Sequence, residues 1–249
     1  MTTTPRDRPV PRRPAFYALR PGGWRDFVTL LHPPYTAWHL SYVALGAAAA
    51  PVVHADRLAA ALGAFFLAVG ISAHALDELH GRPLQTGLGR RTLIVLAAGG
   101  LLGALAIGIA GAVVVSPLLI PLVVAGAVLV PGYNLELAGG RFHSDLWFAL
   151  AWGGFPAFTG YFVNALAIRP AGLLVTAACV FVSVAQRRLS TPARALRRET
   201  VEVSGEQRLA DGEIIRLDEA RLAAPLEGAL SVLWVALVLL AAGLVAVRL

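Results

Sequence analysis

Lysine is absent from this chain: all 21 basic side chains are arginine. Acidic residues number only 15 in 249, and charged residues make up 14% of the sequence, against about 25% in a soluble domain. A single cysteine, Cys179, rules out an internal disulfide; it sits in an apolar run and reads as a small buried thiol. No GxSxG, no HExxH and no phosphate-binding Gly-Lys-Ser/Thr loop occurs, which removes the signatures of the common serine hydrolases, zinc proteases and nucleotide-binding folds. Histidine-rich metal-binding clusters are missing as well.

What the chain has in excess is apolar length. It is 57% hydrophobic, with a mean hydropathy of +0.68. A membrane span needs about 20 mostly apolar residues. Seven runs meet that need: residues 36–53, 58–77, 92–111, 113–130, 145–165, 171–187 and 228–247. Lipid offers no partner for backbone N–H and C=O groups, so runs of this length must be helices. The expected fold is all-α: a polytopic transmembrane helical bundle of about seven spans. Very short connections join the first and second, third and fourth, and fifth and sixth runs as hairpins. Gly99 and Gly103 form a GxxxG pair in the third run, and Pro117, Pro121, Pro131 and Pro156 are expected to kink or end helices.

The arginines then set the topology. All but Arg57, Arg169 and Arg248 fall on one side of the predicted spans, together with the N-terminus. Positive residues are retained on the cytoplasmic side. The expectation is therefore a multi-pass protein of the plasma membrane with its N-terminus cytoplasmic. The net charge of +6 does not point to nucleic acid, because the arginines are dispersed among short loops, where they contact lipid headgroups. The basic segment ahead of the first span is too long for a signal peptide. Four regions follow: residues 1–30 as a flexible Arg/Pro-rich cytoplasmic tail, 31–198 as a bundle of six spans, 199–227 as a cytoplasmic loop or small hairpin, and 228–249 as the final helix.

Ionisable groups at the edge of a span are candidates for function. His74, Asp77 and Glu78 share one helical face at spacings of three and four, a set suited either to a divalent cation or to an interfacial cap paired with arginine. His80 falls on another face. A second patch follows the fourth run: Tyr133, Asn134 and Glu136, then His143, Ser144 and Asp145. Ser144 and Asp145 have a ready role at a helix N-terminus. A third patch holds Arg187, Arg188 and Arg194, whose guanidinium forks suit either phosphate oxygens or the inner membrane face. His39 lies about one turn inside the first run, where a hydrogen-bonded structural role is expected.

At these patches the chain resembles the UbiA superfamily of intramembrane prenyltransferases. His32-Pro33-Pro34-Tyr35-Thr36 is similar to the family's opening segment. Residues 73–84, closing on Arg82-Pro83-Leu84, occupy the place of its first Asp-rich motif, and Tyr133 that of the tyrosine after the fourth helix. The chain departs from the family in its carboxylates. Of the acidic register Ala73, Asp77, Gly81 only Asp77 is kept, and Arg187 and Arg188 stand where the second Asp-rich motif belongs. It also has seven predicted spans where the family commonly has nine.

The resemblance implies transfer of a prenyl chain from a prenyl diphosphate to a lipid or aromatic acceptor, with Mg2+ as cofactor. Where the family's carboxylates are thin, physical chemistry suggests a substitute: Asp77 and Glu78 are catalytic and, with His74, hold the metal, while Arg82, Arg187 and Arg188 clamp the diphosphate directly; His74, Tyr133, Asn134 and Glu136 are expected to line the substrate site. Two alternatives stand beside it: a non-catalytic UbiA-like protein binding an isoprenoid lipid or partner, and a metal-dependent membrane enzyme built on His74, Asp77, Glu78 and His143.

Overall fold

A computed structural model describes residues 13–249; residues 1–12 of the expected tail lie outside the described residues. A short helix α1 (Trp24–Leu30) precedes α2 (Pro33–Ala48). Next, α3 (Ala55–Phe65) runs through a π-helical stretch, Phe66–Ala73, into α4 (His74–Leu79). Helix α5 (Arg90–Val114) is followed by a 3-10 turn, Pro117–Leu119, that leads into α6 (Ile120–Asn134). A second π-helical stretch, Ala149–Gly154, joins α7 (Asp145–Phe148) to α8 (Phe155–Ala165). Helix α9 (Pro170–Arg198), a two-stranded hairpin and α10 (Glu219–Arg248) complete the chain.

Six of these helical segments are long and apolar enough to cross a membrane: Ala55–Leu79, Arg90–Val114, Pro117–Asn134, Asp145–Ala165, Pro170–Arg198 and Glu219–Arg248. The helix α2 is shorter, 16 residues or about 24 Å, and packs chiefly between α8 and α10. Large apolar side chains lie exposed along the outer helices, among them Leu102 and Val113 on α5, Phe181 on α9 and Leu239 on α10. Water would penalise such a surface, whereas lipid tails match it.

The bundle closes on small residues, at positions other than the expected GxxxG pair. A Cβ on Gly99 would meet nothing within 4 Å, and one on Gly103 would touch only Leu67 Cδ1. The intimate contact of α5 is Gly100, which faces the Leu67 carbonyl and the Ser72 backbone of the first π stretch. The tightest approach in the bundle pairs Gly46 of α2 against the Ala157 backbone with Gly160 of α8 against the Val43 backbone.

The N-terminal segment, loop 80–89, loop 135–144 and the hairpin gather at one end, with most of the arginines. There Ala15 and Ala18 pack on Leu84, so residues 13–31 are folded onto the bundle in place of the expected flexible tail. Strand β1 (Glu206–Arg208) pairs antiparallel with β2 (Ile214–Arg216), and Gly212, with φ at 92°, occurs in the turn. The strands lie within residues 199–227, expected as a loop or small hairpin, on the C-terminal side of the alternating residues 200–203, and α10 begins nine residues before the expected final span. At the other end, two of the three exceptional arginines cap backbone carbonyls: Arg57 donates to Val163 at 3.2 Å, and Arg248 to Ala50 and Pro51 at 2.6 and 2.7 Å. Their place off the arginine-rich end is thus structural.

Candidate functional site

A cavity of about 340 Å³ opens at the arginine-rich end, between α2, α3–α4, α6, α7–α8 and α9, with residues 14–17 against its mouth. Both π stretches form part of its wall, through Val69, Ala73 and Trp152. Wide turns of this kind interrupt the regular ladder and recur at functional sites. The second has a sequence cause. Pro156 has no N–H to give to Trp152, four residues earlier. The freed Trp152 carbonyl accepts instead from Nδ1 of His39 at 2.7 Å, which ties α2 to the cavity wall and gives His39 the hydrogen-bonded role its position predicts. On the opposite wall, His74 stacks on His32 with ring centroids 4.0 Å apart and an interplanar angle of 12°, and its Nδ1 lies 3.2 Å from the Gly70 carbonyl.

Asp77 and Glu78 are neighbours in sequence but project about 100° apart on α4. Asp77 lines the cavity, whereas Glu78 does not. The Glu78 carboxylate is 1% exposed and accepts from Leu84 N at 3.0 Å, Thr86 N at 2.8 Å and Thr86 Oγ1 at 2.9 Å. It is the centre around which loop 80–89 folds. Arg82 belongs to the same loop: its guanidinium donates to the carbonyls of Thr86 and Leu88 at 2.9 and 3.0 Å and does not line the cavity. Arg188 is exposed and also lies outside the cavity lining. Of the expected set, His74, Asp77, Tyr133, Asn134, Glu136 and Arg187 come together; Glu78, Arg82 and Arg188 do not join them.

The last turns of α9 supply what the sequence patch only partly suggested. Arg187, Ser190, Arg194 and Arg197 recur at spacings of three and four, so one face of the helix presents them to the cavity, with Arg198 beside them. Two of the four arginines are neutralised locally. Arg187 bonds Asp145 at 2.8 Å and lies over the Phe148 ring, and Arg197 grips Glu227 through two bonds at 2.8 and 2.7 Å. Arg194 and Arg198 have no carboxylate partner among the described residues; they donate to Thr191 Oγ1 and to the Pro14 carbonyl. The sequence signal for them was available in the helical spacing from Arg187.

Residues of the N-terminal segment complete the site, and they carried no motif of their own. Tyr17 O–H bonds Nδ1 of His32 at 2.8 Å. Burial pushes the Tyr17 hydroxyl above its ordinary range, with the nearby Tyr35 adding to the effect. Burial also holds His32 well below the usual histidine range, reinforced by the facing His74 and by Arg198 and Arg194. His32 is thus neutral at physiological pH, with Nδ1 engaged by Tyr17. Nε2 of His32, the Tyr133 hydroxyl and Oε1 of Gln186 are buried without hydrogen-bond partners, and all three residues line the cavity. Unsatisfied buried polar atoms are rare in proteins, and these three mark where water or a bound molecule would supply partners.

Magnesium prefers near-octahedral oxygen ligands, commonly one or two carboxylates with substrate phosphates. Of the expected donors Asp77, Glu78 and His74, only Asp77 brings a carboxylate to the cavity. Glu78 is committed to its loop, and Asp77 remains as the carboxylate on the α4 wall. Glu136 lies 3.8 Å from His143, across the cavity rim. Among the described residues no group of three or more His, Cys, Asp or Glu side chains is gathered to hold a metal ion. His74, Asp77, Glu78 and His143 accordingly do not form the centre that a metal-dependent enzyme would require; His143 stacks on Tyr133 instead.

A second, apolar groove of about 150 Å³ lies deeper, between α3, α5, α6 and α8. Small residues open it, including Ala64 of α3, Ala68 of the first π stretch, Gly108 of α5 and Gly126 of α6. Val69 and Trp152 line both the groove and the polar cavity, so the charged chamber and the apolar one adjoin at these side chains. No family model, no curated protein and no solved structure matches the chain.

Proposed function

We propose that this chain is an intramembrane prenyltransferase, similar to the UbiA superfamily, that takes a prenyl diphosphate from the bilayer and transfers its chain to a lipid or aromatic acceptor. The observation that carries the reading is the pairing of the two chambers: an arginine-walled cavity at the end of the spans shares Val69 and Trp152 with an apolar groove between them. An amphipathic anion matches both, its head among the arginines and its chain among the alanines and glycines. The arginine-rich end faces the cytoplasm on this reading, in keeping with retention of positive charge there.

The chemistry divides among the chain's own residues. The bond from C1 of the prenyl group to oxygen breaks, and its electron pair leaves on the diphosphate, beside the guanidinium groups. The cationic carbon is sheltered by Tyr35, Tyr133, Phe148 and Trp152, whose ring faces favour positive charge and whose bulk excludes water. The acceptor's nucleophilic atom bonds to C1 and sheds a proton to Asp77. Asp77→Asn is expected to lower turnover of prenyl diphosphate in detergent-purified protein by about 100-fold or more. Unchanged turnover overturns the mechanism.

The groove has its own test. Ala64→Phe places a ring in the apolar chamber at a partly exposed helix position. It is expected to weaken binding of a long prenyl diphosphate by about tenfold or more while leaving a short-chain homologue unaffected, because each buried methylene contributes about 0.8 kcal/mol. Equal loss for both chain lengths means that the chain does not lie there. A second reading, binding of an isoprenoid lipid without turnover, is favoured by the single carboxylate that α4 presents. A lipid that copurifies with the protein and is never converted, identified by mass spectrometry, selects it.

A further inference from the structure

The prenyl diphosphate reading implies a magnesium site, and the side chains present offer a different way to hold the same anion. We propose that the diphosphate is bound without a metal ion, by the guanidinium groups of Arg194 and Arg198 on the last turns of α9. The inference rests on the diphosphate reading and adds the chemistry of recognition. Both arginines line the cavity, and neither has a carboxylate partner among the described residues. Arg187 and Arg197, on the same helical face, are already paired with Asp145 and Glu227. The helix therefore carries two satisfied guanidiniums that hold the wall in place and two whose charge is left for a ligand.

A guanidinium fork binds two phosphate oxygens at once, and it strengthens where water is excluded. Two uncharged polar groups complete the cradle: the orphaned Tyr133 hydroxyl, and the orphaned Nε2 of His32, which donates to the ligand in the tautomer where Tyr17 donates to Nδ1. Asp77 faces the same space as a negative charge. In a magnesium site that carboxylate is indispensable for binding. In an arginine cradle it repels the diphosphate. The two arrangements thus predict opposite signs for the same substitution.

The test uses the full chain in detergent and a non-hydrolysable prenyl S-thiolodiphosphate, with affinity measured by calorimetry in excess EDTA and again in excess magnesium. The expected results are equal affinity in the two buffers, binding in Asp77→Asn as tight as in the native protein or tighter, and a loss of about 30-fold or more in Arg194→Ala. Arg194→Lys keeps the charge without the fork and is expected to recover part of the loss, which separates recognition from misfolding. Binding that requires magnesium and disappears in Asp77→Asn overturns the metal-free cradle and leaves the prenyl diphosphate reading standing. Absence of binding in both buffers overturns the reading itself and the cradle with it.

Discussion

Replacing Glu78 by alanine is expected to destabilise the protein by roughly 2–6 kcal/mol, while the same change at Asp77 leaves its stability almost unaltered. The difference follows from where adjacent carboxylates point. Truncating Glu78 removes the acceptor for two backbone N–H groups, of Leu84 and Thr86, and for the Thr86 hydroxyl, in a pocket that water does not reach. Each of the two buried backbone N–H groups left unpaired costs about 1–3 kcal/mol, which sets the expected range. Glu78→Gln falls between: its amide oxygen still serves the two Thr86 donors, but its NH2 then faces Leu84 N–H. Thermal unfolding in detergent, followed by size-exclusion chromatography, should rank the variants native, Asp77→Ala, Glu78→Gln, Glu78→Ala. Equal midpoints for Glu78→Ala and native protein would remove the loop-organising role. Because Leu84 also packs on Ala15 and Ala18, the same variant should loosen residues 13–31, with faster proteolysis near Tyr17 as the second readout.

The apolar helices and the charged end were legible in the sequence because each rests on a local rule: lipid forbids unpaired backbone, and arginines accumulate on one side. Hydropathy located the outer helices well. It overlooked that α10 extends through Glu219 and Glu227, since those carboxylates are held by Arg197 and do not break the helix. Helical spacing correctly grouped His74 with Asp77. It could not divide Asp77 from Glu78, because the partner that claims Glu78 is a loop whose fold depends on the carboxylate itself. Arg82 and Arg187 looked alike as loop-side cations. One closes a turn on its own carbonyls and the other reaches a different helix, a distinction that only tertiary contact creates. Tyr17 was hidden for another reason: a Pro/Arg-rich segment reads as solvated until the surface that receives it is known. In contrast, Pro156 and His39 were both visible, and what was missing was the bond from His39 to the Trp152 carbonyl that Pro156 leaves free, across 113 residues.

The glycine pair at the α2–α8 crossing carries the other large effect. Gly160→Ala is expected to prevent native assembly, or to lower the thermal midpoint in detergent further than any single change in the cavity. A methyl on Gly160 would run into the Val43 backbone, and one on Gly46 into the Ala157 backbone, and neither carbonyl can rotate aside as a side chain would. Relief requires the helices to separate, which strips packing from Trp38 and Tyr42, both fully buried in α2. Overpacking a close-packed contact costs about 1–3 kcal/mol when neighbours give way, and here the neighbours are backbone. Gly99→Ala is the matched control, since a Cβ there meets nothing within 4 Å; it should be neutral or slightly stabilising through helix propensity. The crossing also sets the cavity. His39 of α2 reaches the Trp152 carbonyl only while α2 lies against α7–α8 at this distance, and Trp152 lines both the polar chamber and the groove. Where Gly160→Ala still assembles with a lowered midpoint, it should show a second loss: weaker binding of long prenyl diphosphates, as the side chains shared by the two chambers shift. Retention of native stability in Gly160→Ala would mean that α2 is free to move, and the two chambers would then have no fixed boundary.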